Sequence, residues 1–327
     1  MAKIRIGVVG VGIMGSGHAR YITDHVSDAV ITALFDVDES GMHELAKELT
    51  AKSGATITQH PSMECLTQDS NIDAVIICSP DSLHPEHLTL AINARKHALC
   101  EKPLALKSVD AQKVAEIANR SGLIIAMGFM RRFDPSYIEL KKEIQSGEYG
   151  QVLQLRCTSR NVKSPTATTS MLITNVAVHE VDIARWLLGE EFVSVSTVKT
   201  KRSHLANPQL QDPLSILFHT ESGVLMTVDV AANATYGYEV GMEVLLENGA
   251  LVIENLGGLT IAHKLNISNR KSGKLHEDWL GRFEVAYINE LRAWVKSIRD
   301  GKLEQNLATV DDGVASSLIC EMGASSL

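Results

Sequence analysis

Apolar and polar positions along the chain follow two different regimes that meet near Gly128. Before it, short apolar runs at 4–9, 29–35, 56–58, 72–78, 97–100 and 123–127 read as strands. Between them lie segments with apolar positions three and four apart, at 42–49, after Ser62, at 85–94 and at 108–120, which read as helices. Runs such as 72–78 (IDAVIIC) are almost unbroken, as expected of strands covered on both faces of a parallel sheet. Strict alternation of strand and helix predicts right-handed βαβ units and a doubly wound α/β domain over 1–127.

Beyond Gly128 the pattern changes. Asp134-Pro135 predicts the start of a helix that runs to about 145 and stops at Gly147. Positions 152–159 alternate like a strand, a Ser/Thr-rich loop covers 164–170, and a helix is predicted over 175–188, ending at Gly189. Strands follow at 193–200, 214–219, 224–230, 239–246 and 250–253, with Gly223 and Gly249 placed for antiparallel hairpins. Helices near 283–299 and from 310 onward close the chain. The expectation for 128–327 is therefore an α+β domain with a large, mostly antiparallel open sheet, and 327 residues suit two domains with separate cores.

The first strand leads into KIRIGVVGVGIMGSGHAR, where Gly10, Gly12 and Gly15 form G-x-G-x-x-G with Ile13 and Met14 between the last two. Three glycines alone also occur in ordinary loops and in the phosphate loops of kinases. Here a strand precedes them, a helix follows, and Asp36 closes the second strand 36 − 15 = 21 residues past the third glycine. That is the arrangement of a Rossmann dinucleotide site: a tight turn at the first glycine, pyrophosphate approach at the second, close helix packing at the third, and a carboxylate for the ribose hydroxyls. The helix N-terminus supplies N–H groups and a positive dipole end for the phosphates. A carboxylate at 36 repels a 2′-phosphate, so the expected cofactor is NAD rather than NADP.

Charge narrows the partners. Lys plus Arg total 31 against 39 Asp plus Glu, a net charge of −8 without a basic block, which excludes a nucleic-acid surface or a polybasic membrane patch. The N-terminal run is broken by Gly7, Gly10, Gly12 and Gly15 and lacks a small-residue cleavage pattern, so it is not read as a signal peptide. No run reaches the length of a membrane span. Cys65, Cys78, Cys100, Cys157 and Cys320 form no C-x-x-C pair; the expectation is a reducing cytoplasm and no metal site.

Ligands of open α/β sheets bind beyond the carboxyl ends of the strands. Those ends carry Ser79, Pro80 and His84 after the fourth strand, Glu101, Lys102 and Pro103 after the fifth, and Arg131 after the sixth. A Lys partly desolvated beside a cationic ring has its protonated form disfavoured and acts as a base near neutrality. From residue type alone, Lys102 also fits a solvated loop lysine and His179 an ordinary helix histidine paired with Glu180 or Asp182.

GVGIMG, Asp36, SPDSLHPEH and EKP, followed by GFMRRFDPSY, SRN at 159–161, SMLITNVAVHEVDIARWLLG at 170–189 and TYGYE at 235–239, resemble the Gfo/Idh/MocA oxidoreductases, the later motifs its inositol dehydrogenase branch. The resemblance implies Lys102 and His179 as catalytic residues and Arg131, Asn161, Tyr236 and Tyr238 as polyol-binding positions. It further implies cofactor contact for Ser79, Pro80, His84, Glu101 and Lys102, and a cis bond before Pro103. The inositol dehydrogenases resembled have Asp where this chain has Asn175. An amide orients the imidazole four residues on without sharing its charge, which leaves an inactivating change, a relay through Lys102 and His179 alone, or a different substrate. The implied activity is oxidation of a secondary hydroxyl of a cyclic polyol or sugar to a ketone with NAD, by a homo-oligomer, with an aldose or sugar-derivative dehydrogenase or a non-catalytic NAD- or sugar-binding regulator as alternatives.

Overall fold

The computed structural model describes residues 2–253 and 275–327, and the backbone alone of 259–264 and 267–268. The chain divides into two units, Met1–Met130 with Val285–Ser317, and Arg131–Glu284 with Leu318–Leu327.

In the first unit six parallel strands lie in the order β3-β2-β1-β4-β5-β6. They are β1 (Ile4–Val9), β2 (Ala29–Phe35), β3 (Thr58–Gln59), β4 (Ala74–Ile77), β5 (His97–Glu101) and β6 (Ile125–Gly128). Helices α1 (Ile13–His25), α2 (Glu39–Ser53), α3 (Met63–Gln68), α4 (His84–Asn93) and α5 (Ser108–Ser121) connect them. β4 is buried along its whole length, as its unbroken apolar run requires. The capping chemistry works as expected: Ser62 accepts from Cys65 N at the start of α3, and Gly122 ends α5 in the left-handed region. Strand order reverses between β1 and β4, which opens a crevice at their carboxyl ends.

The boundary between the units falls inside α8 (Trp279–Asp300), and residues 285–317 return to the first unit rather than staying with the second, as the domain expectation had it. Specific contacts draw them there. Tyr287 stacks on Tyr21 and meets the His18 ring edge-on, Asn119 donates to Asp311, and Met127 pairs with Ala308.

The second unit is built on an eight-stranded sheet, β14-β13-β12-β11-β7-β10-β9-β8. Its strands are β7 (Val152–Arg160), β8 (Phe192–Lys199), β9 (Leu214–Thr220), β10 (Leu225–Ala231), β11 (Glu239–Leu246), β12 (Gly249–Ile253), β13 (Leu259–Lys264) and β14 (Ile267–Ser268). Both expected hairpins are present, and every pairing is antiparallel except β7 with β10. Burial alternates along β9, β10 and β11, so one face carries the core. Helix α6 (Pro135–Ser146) begins at Asp134, which accepts from Ser136 N, and ends at Gly147. The helix expected from 175 starts earlier, as a π-helical turn over Leu172–Ala177 that passes into α7 (Val178–Leu188). Helix α9 (Val310–Ser325) ends with Gly323 packed closely on Ile173 and Val195, where an added Cβ would lie 3.1 Å from each side chain.

Candidate active site

The glycine turn of the first unit is shaped by close approach. Gly10 has φ +84, and a Cβ there would lie 2.5 Å from the Cys78 carbonyl oxygen. A Cβ at Gly15 would come within 1.7 Å of the Gly10 carbonyl oxygen. At Gly12, the residue preceding α1, a Cβ would meet nothing within 4 Å. The first and third glycines are thus demanded by the protein's own backbone, whereas the second leaves space at a helix N-terminus that no side chain caps. Ile13 is exposed and Met14 half-buried beside that space. Asp36 accepts from Val11 N at 2.5 Å and Asp38 N at 2.8 Å, which fixes its carboxylate at the edge of the glycine turn. These residues fit a dinucleotide: room for phosphates over Gly12 and an anchored acid for a ribose.

Buried side chains knit together the carboxyl ends of β4 and β5. The His84 ring lies between two carbonyl oxygens, with Nδ1 2.7 Å from Pro103 O and Nε2 2.8 Å from Ser79 O. One imidazole therefore bridges the two loops. Ser79 Oγ meets His87 Nδ1 at 2.9 Å, and Pro80 beside it is exposed. The Lys102–Pro103 bond is cis, with Lys102 half-buried and Pro103 buried. Glu101, 7% exposed, accepts from the Lys102 N–H at 3.3 Å and faces His18 Nε2 at 2.9 Å. Burial works to raise its pKa, but the His18 hydrogen bond and the charges of His18, Lys102 and His84 outweigh burial and hold the carboxyl below its ordinary value. A Cβ at Gly128 would press within 3.0 Å of this carboxylate, so the end of β6 closes over it.

In the second unit, His179 stands in the first turn of α7, half-buried, and Asn175 in the π-helical turn before it. Asn175 Oδ1 accepts from the Thr174 hydroxyl at 3.0 Å. Residues 175 and 179 are therefore joined by π-helical and then α-helical backbone rather than by one α-helix.

Of the four expected polyol contacts, two are on the surface and two are not. Asn161, half-buried, is locked by its backbone to Ala231 and Ala234 at 2.8 Å each. Tyr236 is 61% exposed, and its hydroxyl donates to Glu239 at 2.5 Å. Arg131, 2% exposed, donates to Glu180, and Tyr238, 5% exposed, lies within reach of the same guanidinium. Burial opposes the charge of Arg131, yet Glu180 more than offsets it and the guanidinium stays protonated. Burial pushes the Tyr238 phenol up to about 12, so it remains a neutral hydroxyl.

These residues belong to a buried ionic layer that also pairs Arg132 with Asp182 at 2.6 Å and Arg282 with Asp134 at 2.6 Å. Sequence reasoning missed three participants. Arg160 and Glu239 face each other across β7 and β11, 2.8 Å apart, and hold Tyr236; their alternation on neighbouring strands was the available signal. His18, three residues past Gly15, carried no local signal for its pairing with residue 101.

A six-stranded parallel sheet reversing at β1/β4, a turn with space at its second glycine and an anchored acid at the end of β2 define an enzyme of the dinucleotide-dependent class. Sequence comparison sharpens this. Residues 4–129 match the oxidoreductase family with an NAD-binding Rossmann fold, and residues 137–252 match the Gfo/Idh/MocA C-terminal domain. The chain belongs to the Gfo/Idh/MocA family of NAD-binding oxidoreductases. It is 39% identical over 320 residues to inositol 2-dehydrogenase 2 of Saccharopolyspora erythraea, which covers 97% of this chain and 91% of that protein. Among solved structures, myo-inositol dehydrogenase from Lactobacillus casei in complex with NAD(H) and myo-inositol is similar with TM-score 0.89 at 27% identity, over 99% of this chain and 94% of that one. The scyllo-inositol dehydrogenase of the same organism, with bound NAD(H) and scyllo-inositol, gives TM-score 0.87 at 25% identity over 99% and 97%.

Proposed function

We propose that this protein oxidises a secondary hydroxyl of a cyclic polyol of the inositol type to a ketone with NAD. The observation that carries the reading is the Glu101-Lys102-Pro103 turn, held in place by His84 and Glu101 at the end of β5, in a chain whose full length follows inositol dehydrogenases. Bound NAD supplies the hydride acceptor. Gly10, Gly12, Gly15, Ile13 and Met14 line its phosphates, Asp36 its ribose, and Ser79, Pro80, His84 and Glu101 the far side of the crevice. Lys102 and His179 exchange the hydroxyl proton, returning it in the reverse direction. Asn161 and Tyr236 contact the remaining hydroxyls, with Arg160 and Glu239 orienting the phenol. Arg131, paired with Glu180, and Tyr238 complete the set of polyol contacts from the buried side of the site. A missing partner hydroxyl leaves such polar groups unpaired, which is the source of substrate selectivity.

Support for a homo-oligomer lies in the outer face of the second sheet, where Leu217, Leu225 and Leu245 keep part of their surface accessible. Five free cysteines support a reducing, cytoplasmic setting, and among the described residues no helix is long and apolar enough to cross a membrane.

The test is a panel of inositols, aldoses and sugar derivatives with NAD, read by absorbance of the reduced cofactor at alkaline pH. Turnover fastest on an inositol is expected. Lys102→Ala should lower kcat by about a thousandfold, within the range of acid–base groups, while NAD still quenches tryptophan fluorescence. Binding without reduced cofactor for any compound would instead indicate a regulator.

A further inference from the structure

One end of the second sheet gathers the loops that carry Asn161 and Tyr236. β7, β8 and β10 end there, and β9 and β11 begin there, because β7 runs parallel to β10 and the other pairings are antiparallel. Asn161 follows β7, Tyr236 precedes β11, and a loop at 200–213 joins β8 to β9 at the same end. From Asn161 the chain passes through the Ser/Thr-rich segment 164–170 before it reaches Asn175 and His179. That segment has no helix or strand of its own, so side chains from elsewhere must fix its place.

Loop 200–213 supplies the bonds. Asn207 Nδ2 donates to Ala167 O at 2.9 Å and to Pro165 O at 3.4 Å. Thr169 Oγ1 donates to Gln209 O at 3.2 Å and accepts from Gln211 N at 2.9 Å. The loop is itself braced: Arg202 gives Nε to Leu210 O at 2.9 Å and Nη2 to Ala206 O and Asn207 O at 2.8 and 2.6 Å. Near its far end the buried Asp212 accepts from Ala232 N at 2.9 Å and from Asn233 Nδ2 at 2.8 Å. Ala231 and Ala234, flanking those two residues, are the backbone partners of Asn161. One loop thus ties the segment leading to His179 to the segment that holds Asn161.

We propose that loop 200–213 is a clamp that fixes segment 164–170 for contact with the polyol, with Asn207 and Thr169 as its positioning residues. A ring bearing several hydroxyls is met by further hydroxyls, those of Ser164, Thr166, Thr168 and Ser170. The inference rests on the dehydrogenase reading and adds to it the part of the chain that selects the polyol. His179 is held without the clamp, since Val178 and Val181 of the same helix are buried. The clamp therefore acts on polyol binding rather than on proton transfer. The Asn207 bonds lie at or near the surface, where water takes over the freed carbonyls, so folding tolerates their loss.

Steady-state kinetics on the polyol turned over fastest, NAD titration by tryptophan quenching, and calorimetry are compared for the full chain, Asn207→Ala and Thr169→Val. Each variant should raise the polyol KM about tenfold, with kcat within about threefold and the NAD Kd within about twofold. The Tm should stay within about 4 °C of the unmodified value. An unchanged KM in either variant overturns the proposal. Parallel losses of kcat, NAD affinity and Tm would mark the loop as structural only and overturn it too. Where Asn207→Ala fails to fold, Thr169→Val decides by the same readouts, and failure of both to fold counts against the clamp equally. An unmodified protein that turns over no polyol at all is a separate result, which ends the dehydrogenase reading and this inference with it.

Discussion

An amide at position 175 can orient a neighbouring imidazole but cannot share its charge, and here its oxygen is already engaged by Thr174. Asn175→Asp places a carboxylate close in the chain to His179, which favours the protonated ring. The ring then loses its proton at higher pH, so the acidic limb of the kcat–pH profile moves upward, with the plateau rate changed by less than about threefold. A rise of tenfold or more would mean that the natural relay is impaired. The residues legible in the sequence were those defined by spacing: three glycines, and Asp36 at 21 residues beyond them. Pairings between distant positions were not legible. Arg131 reads as an exposed cation after a strand, because charged side chains are seldom buried; only its meeting with Glu180, 49 residues on, makes burial tolerable. His18 and Glu101, 83 residues apart, are a second case.

Among the elements, the turn from β1 into α1 separates glycines that the fold needs from one that the ligand needs. Gly15→Ala forces its new methyl into the Gly10 carbonyl, so both Tm and NAD affinity should fall, the Tm by about 4 °C or more for a loss of about two kilocalories or more. Gly12→Ala meets no protein atom, so its Tm should stay within about 2 °C of the unmodified value while NAD affinity drops at least about tenfold. Calorimetry with fluorescence titration checks both, and equal behaviour of the two variants would remove the distinction. Strand and helix alternation in the first 128 residues was legible because parallel strands are unbroken apolar runs between capped helices. The π-helical turn at Leu172–Ala177 was not, since one residue's change in hydrogen-bond reach leaves the apolar periodicity nearly intact. The parallel pairing of β7 with β10 was hidden for another reason: turn glycines report hairpins, not which distant strand lies alongside.

For the molecule as a whole, the outer face of the second sheet makes association a measurable property. Light scattering should give a multiple of 35.6 kDa, and Leu217→Glu, which puts a charge on that face, should move the mass toward 35.6 kDa. A single-chain mass for the unmodified protein would refute the homo-oligomer. The two-part composition was legible from the change of pattern near Gly128, but the path of the chain was not, because the amphipathic helix at 279–300 does not announce which sheet it will cover, and the helix at 310–325 has no distinct apolar face at all. Their route has a consequence for biosynthesis. Leu104 and Met127 are closed off by Gly313, and Tyr21 by Tyr287, so a nascent chain that has emerged only as far as the last strand of the nucleotide-binding sheet still shows bare hydrophobic surface. The surface of that sheet stays open until residues 285–317, made after the whole of the second sheet, come back to cover it.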